Sequence, residues 1–285
     1  MAKKVKKSPD EMSFLDHLED LRWLLVRSTI AVLIAATGVF FISDFIFDTV
    51  LFGPTKAGFI TYRFFCDLSH WLGVADAICV TDMDFVIQNT AMEGQITILI
   101  WTCVTAGFIL GFPYILWELW RFISPALYEN ERRHAKLFIA VASLLFFLGV
   151  LFGYFVIVPM SVNFFATFTV SESIKNEFNL DSYISMLKTS VIACGLFFEL
   201  PIIIYFLTKL GLVTAEFLRK YRKYAIVIVL IVAAIVTPPD VVSQIIVSIP
   251  MLLIYEASIH ISAWVGRGKR AKELADELLS KKINE

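Results

Sequence analysis

Glu199 is the ionisable residue whose position most needs a chemical reason. It is the only acidic or basic residue in the apolar stretch 189–208, within Phe197-Phe198-Glu199-Leu200-Pro201. At the centre of a bilayer-spanning helix an ionised carboxylate costs about 2.5 kcal/mol or more, so this one is expected to be protonated or to face a wet cavity. Pro201 frees a backbone carbonyl one turn earlier and makes the site more polar. Such a group can exchange protons or attract a polar partner. The plain alternative is a neutral Glu hydrogen-bonded to a neighbouring helix.

Two further carboxylates stand beside arginines. Asp20 neighbours Arg22 in the segment 17–22, His-Leu-Glu-Asp-Leu-Arg, and Glu131 precedes Arg132 and Arg133. Carboxylates of this kind can bind a guanidinium through charge-assisted hydrogen bonds. Taken alone, they read equally as solvated charges at membrane ends. The histidines (His17, His70, His134 and His260) are isolated from Cys and from paired carboxylates, so no metal-ligand spacing arises. No phosphate-binding Gly-rich loop ending in Lys-Ser/Thr occurs, and neither does a Gly-x-Ser-x-Gly or zinc-protease signature. No catalytic centre, cofactor or nucleotide motor is expected.

Cys103 and Cys194 fall inside apolar stretches, where a thiol serves as a small packing residue. Cys66 and Cys79 fall in a polar segment 13 positions apart. A disulfide between them would constrain the unfolded segment by roughly 3 kcal/mol in the chain-entropy model. Two unpaired thiols are the other reading.

The elements that position these groups follow from hydropathy. The chain has 285 residues, 58% of them hydrophobic, with mean hydropathy +0.74. Those values lie far outside soluble norms. Six charge-poor stretches stand out: 23–43, 96–117, 137–171, 189–208, 225–236 and 241–255. If each crosses a bilayer, the N-terminal side holds six basic residues, 118–136 four, 209–223 five and the tail six. Only Lys56, Arg63, Lys175 and Lys188 of the 25 fall on the other side. The positive-inside rule then puts both termini in the cytoplasm. The fold class is therefore an all-α membrane protein with six transmembrane helices. The first stretch is long and lacks a clear cleavage site, so it is read as a retained span.

Domain organisation follows the same sorting. Residues 1–22 form a cytoplasmic N-terminal segment, 23–265 the membrane domain and 266–285 a charged cytoplasmic tail, helical or disordered. The external segment 44–95 has seven acidic residues against two basic ones. The uncharged run 137–171 would make roughly 50 Å of helix against a core of about 30 Å, with a bend expected at Pro159. The last two spans are short, 225–236 giving only about 18 Å. Thr237-Pro238-Pro239-Asp240 ends the helix between them. Gly107-xxx-Gly111 and Gly149-xxx-Gly153 permit close helix approach.

Four motifs, in order and at span boundaries, resemble the TatC family. The segment 17–22 resembles its His-Leu-x-Glu-Leu-Arg pattern. The run 122–133, Phe-Ile-Ser-Pro-Ala-Leu-Tyr-Glu-Asn-Glu-Arg-Arg, resembles its first cytoplasmic loop. Phe198-Glu199-Leu200-Pro201 resembles its fourth-span motif, and 237–244 its last external turn. The resemblance covers roughly residues 13 to 265. Asp20 replaces the family's usual Glu, Leu24 stands where many members have a second Arg, and the first external segment is longer.

The resemblance implies a cup-shaped bundle in a bacterial cytoplasmic membrane. It also implies a non-enzymatic receptor for twin-arginine signal peptides, exporting folded proteins on the proton-motive force. Asp20, Arg22 and Glu131 would take the arginine pair, with Phe122 and Leu127 against the apolar part of the signal. TatA- and TatB-like single-span partners are implied in a multi-copy assembly. Thr237 and Gln244 would meet a partner helix, or cap the hairpin within the chain. The alternative function is a proton-coupled small-solute carrier using Glu199.

Overall fold

The computed structural model describes residues 14–71, 85–124, 135–171, 173, 175–237 and 240–284. Helices dominate: α1 (Phe14–Phe40), α2 (Ser43–Phe45) running into a π-helical turn (Ile46–Leu51), α3 (Ile60–Trp71) and α4 (Gly94–Ile123). Next come α5 (Ala135–Phe152), a π-helical turn (Gly153–Ile157) and α6 (Val158–Thr167). The rest are α7 (Leu180–Phe198), α8 (Leu200–Lys209), α9 (Ala215–Lys220), α10 (Arg222–Val236) and α11 (Val241–Asn284). Two short strands, β1 (Val86–Gln88) and β2 (Glu177–Asn179), pair with each other.

Among the described residues, five helical runs are long and apolar enough to cross a membrane: Leu18–Phe40, Gly94–Ile123, Lys136–Thr167, Leu180–Lys209 and Ser243–Gly268. With 15 residues, α10 is about 22 Å long and falls short of a full crossing. This agrees with the short stretch expected at 225–236. The apolar part of the final helix runs to Gly268 and the helix continues without a break to Asn284, so the tail takes the helical one of its two expected forms.

The chain divides into two compact units. One comprises Met1–Gly53, Ile87–Phe147 and Phe178–Lys188. Here α1 packs antiparallel on α4, and glycine makes the contact possible. A Cβ on Gly107 would lie 2.6 Å from the Ala36 backbone nitrogen and 2.8 Å from the Val32 carbonyl oxygen. Ala36, Val39 and Cys103 form the buried seam there. Further along α4, Phe112 stacks on Phe146 of α5 with ring centroids 3.5 Å apart. Tyr183 of α7 is buried, and its hydroxyl donates to the Leu51 carbonyl.

The second unit comprises Pro54–Val86, Leu148–Glu177 and Thr189–Glu285. The other glycine pair acts here. Cβ atoms on Gly149 and Gly153 would lie 2.5 Å from the Cys194 carbonyl oxygen and 2.9 Å from that of Ser190, so this stretch rests directly on the α7 backbone. The bend expected at Pro159 takes the form of the π-helical turn just before it. Pro159 has no N–H for the carbonyl four residues back. That carbonyl, on Phe155, instead accepts from Thr61 Oγ1 of α3 at 2.6 Å. The buried Tyr62 hydroxyl donates to the Pro54 and Pro159 carbonyls at 2.8 and 3.1 Å. The core of this unit gathers Ile157, Cys194, Val229, Ala233, Val236, Val247 and Met251.

Candidate functional site

One stripe of α1 carries the first group of functional side chains. Asp20, Leu24 and Arg27 recur at spacings of four and three, which puts them on a single helix face. Leu24 is buried, Asp20 is exposed and Arg27 is half-buried. This face is turned to α4, because Arg27 Nη1 donates to Glu118 Oε2 at 3.2 Å. Glu118 is only 5% exposed. Its other oxygen accepts from the Tyr114 hydroxyl at 3.1 Å, and Arg121 Nη1 lies 3.9 Å from it. A carboxylate buried near the end of a membrane helix needs such cations and donors to offset its desolvation.

The register of the pair places Asp20. Gly107 meets Val32 and Ala36, Gly111 meets Val32, and Glu118 meets Arg27. Seven residues before Arg27, about 10 Å along the axis, Asp20 stands level with the position seven residues after Glu118, just past the end of α4 at Ile123, whose last turn holds the half-buried Phe122. Asp20 and Phe122 therefore share one end of the α1–α4 pair. Arg22 is exposed on the same turn of α1 as Asp20. Leu127 and Glu131 lie outside the described residues.

Sequence reasoning missed Arg27 and Glu118 as a pair. Arg27 read only as an interruption of the first apolar stretch, and Glu118 only as the start of the next charged segment. The available signal was an arginine one turn inside a membrane helix, on the face of Asp20. Such a charge needs a partner.

Glu199 is buried, 5% exposed, at the one-residue break between α7 and α8. Its N–H donates to the Leu196 carbonyl at 3.2 Å, and its own carbonyl accepts from Ile202 and Ile203 at 3.0 Å each. Pro201 causes the break, since it has no N–H to continue the α7 ladder.

Thr237 and Gln244 make bonds within the chain. The Thr237 hydroxyl donates to the Ala233 carbonyl at 2.8 Å, and Gln244 Nε2 to the Leu230 carbonyl at 3.3 Å, joining α11 to α10. Asp240 caps α11 by accepting from the Ser243 N–H at 2.8 Å. Cys66, on α3, is disulfide-bonded, while Cys103 and Cys194 are free and buried. Cys79 lies outside the described residues. Among the described residues no group of three or more His, Cys, Asp or Glu is placed to hold a metal ion.

Known proteins match this arrangement along most of its length. The family model described as Sec-independent protein translocase protein (TatC) matches residues 16–250. The Sec-independent protein translocase protein TatC of Blattabacterium sp. subsp. Periplaneta americana is 43% identical, over 93% of this chain and 100% of its own. TatCy of Bacillus subtilis is 34% identical over 95% of this chain and 96% of its own. A crystal structure of the twin arginine translocase receptor TatC superposes with a TM-score of 0.67 at 33% identity, covering 87% of this chain and 99% of that one. The same receptor in the detergent DDM gives 0.68 at 34% identity, covering 86% and 99%.

Proposed function

Because this chain belongs to the TatC family, we propose that it is the receptor subunit of a Sec-independent translocase, recognising twin-arginine signal peptides on folded cargo. It is a multi-pass membrane protein and a component of a translocation machine, not an enzyme. The observation that carries the site is the placement of Asp20. The Arg27–Glu118 pair and the Gly107 contact fix α1 against α4, and the acidic side chain stands free at the end that also holds Phe122.

The chemistry is recognition of guanidinium. Its planar fork of donors matches a carboxylate, and a lysine ammonium cannot reproduce that geometry. Asp20 takes one arginine of the signal and Glu131 the other, while Phe122 and Leu127 contact its apolar part. Arg22 keeps the local charge balanced. The test is crosslinking of an Arg-Arg signal to Asp20→Ala, Glu131→Ala and the double variant. Each single change should weaken crosslinking. Normal crosslinking in the double variant, at normal protein level, overturns the assignment.

The remaining organisation follows from charge. Both termini face the cytoplasm of a bacterial inner membrane, in line with the basic residues gathered on one side. The 15-residue α10 makes a sixth, short crossing and thins the bilayer locally. TatA- and TatB-like single-span proteins complete the translocase and draw on the proton-motive force. Gln244 retains a second amide hydrogen and its carbonyl oxygen for such a helix. Glu199 attracts a polar group of the same partners. The bond from Cys66 goes to Cys79 and staples the external segment. The solute-carrier alternative gains no support, since the relatives are translocase proteins.

A further inference from the structure

At the basic end of the second unit, α8, α9 and α11 enclose a cavity of about 350 Å³. That lies at the lower end of the range for small-ligand sites, about 300–1,000 Å³. Arg219 and Arg267 line it from α9 and α11. Neither is in an ion pair among the described residues, so two guanidinium groups face one cleft. The inner wall is polar. Thr208 and Ser262 are buried, and the Thr208 hydroxyl donates to Ser262 Oγ at 2.9 Å. The cavity stands at the ends of the apolar runs Leu180–Lys209 and Ser243–Gly268.

We propose that this cavity binds the phosphodiester of a membrane phospholipid. Two guanidinium groups supply forked donors that suit phosphate oxygens. Glu216 also lines the cavity. Basic clefts between membrane helices bind phospholipid headgroups in this manner. The place of the cavity at the ends of two apolar runs decides between a lipid and free phosphate: a headgroup seated on the arginines has its acyl chains beside those runs. Neither Asp20 nor Glu199 lines the cavity, and nothing in the signal-recognition reading requires it.

Two variants test the cavity by different routes. Arg219→Gln with Arg267→Gln removes both guanidinium groups. Gly266→Leu keeps them and fills the space, because a Cβ at Gly266 meets no atom within 4 Å and leucine favours helix over glycine. Lys220→Gln with Lys223→Gln is the charge-matched control, taken from basic residues that do not line the cavity. The full chain, purified in detergent, is titrated by native mass spectrometry with phosphatidylglycerol, phosphatidylethanolamine, a diacylglycerol of the same chain length, and inorganic phosphate. Expected is retention of one lipid phosphodiester by the parent and the control, at least tenfold weaker in both cavity variants, with diacylglycerol not retained. Equal loss in the control, or unchanged binding in both cavity variants, overturns the site. Retention of inorganic phosphate without lipid overturns the lipid assignment.

Discussion

Arg27 of α1 and Glu118 of α4, 91 positions apart in the chain, meet at 3.2 Å just inside the membrane end of their helices. The pair fixes the rotation of α1, and with it the direction in which Asp20, two turns away on the same face, is offered. Arg27→Ala would leave a 5%-exposed carboxylate with Arg121 at 3.9 Å as its nearest described cation. The cost is expected to be about 1–3 kcal/mol, below the ~3–5 kcal/mol of a fully buried pair because the Arg27 side chain is 36% exposed. Thermal unfolding in detergent measures it. Adding Glu118→Gln to Arg27→Ala should recover part of the loss, and a double variant worse than the single would contradict this.

Gly107 and Gly38 offer a matched comparison. A Cβ at Gly107 runs into the α1 backbone at 2.6 Å, whereas a Cβ at Gly38 meets nothing within 4 Å. Gly107→Val should therefore force α1 and α4 apart and lower the unfolding midpoint sharply, while Gly38→Val leaves it within a few degrees. Similar midpoints for the two variants would refute the close-contact role.

Tyr62 gives the external segment a dependence on alkaline pH. Burial pushes its phenol above the ordinary value, about 10, and the hydroxyl must keep its proton to serve the Pro54 and Pro159 carbonyls. The folded-state value is raised, so the contribution is complete below about pH 10 and is lost as pH climbs further. Tyr62→Phe should cost about 1–3 kcal/mol at neutral pH and flatten the fall in stability above pH 10. An unchanged alkaline profile in the variant would rule the contribution out.

Cys66 is bonded, so its thiol should resist alkylation in membranes prepared without reductant. With Cys79 as its partner, both residues react only after reduction, and Cys79→Ser exposes Cys66. Reduction should destabilise the external segment by roughly 3 kcal/mol or less. Quantitative labelling of both residues before reduction would exclude the pair.

The sequence carried some of these features openly and concealed others. The glycine pairs at 107 and 111 and at 149 and 153 read as close-approach motifs; backbones touch at 107, 149 and 153, while Gly111 meets Val32 at ordinary van der Waals distance. Pro159 signalled a disturbance, but not its remedy: the Phe155 carbonyl is served by Thr61, 94 positions earlier, and no local pattern encodes such a partner. Arg27 and Glu118 escaped notice for the same reason. Each looked like an ordinary charge near a membrane boundary, and only the antiparallel register brings them together. The helix α11 outlasts the apolar stretch 241–255 because Glu256 and the charges after Gly266 interrupt the hydropathy pattern without breaking the helix.

Photocrosslinking from beside position 20 to a signal peptide tests signal recognition most directly. A photoreactive residue at position 21 or 130 of the full chain, with Asp20 and Glu131 kept, in native membranes, should capture an Arg-Arg signal. Capture should fall at least tenfold for the Lys-Lys version, because an ammonium lacks the forked donors of guanidinium. Equal capture of both signals, or capture of neither from both positions, would contradict recognition of the arginine pair at this end of α1 and α4.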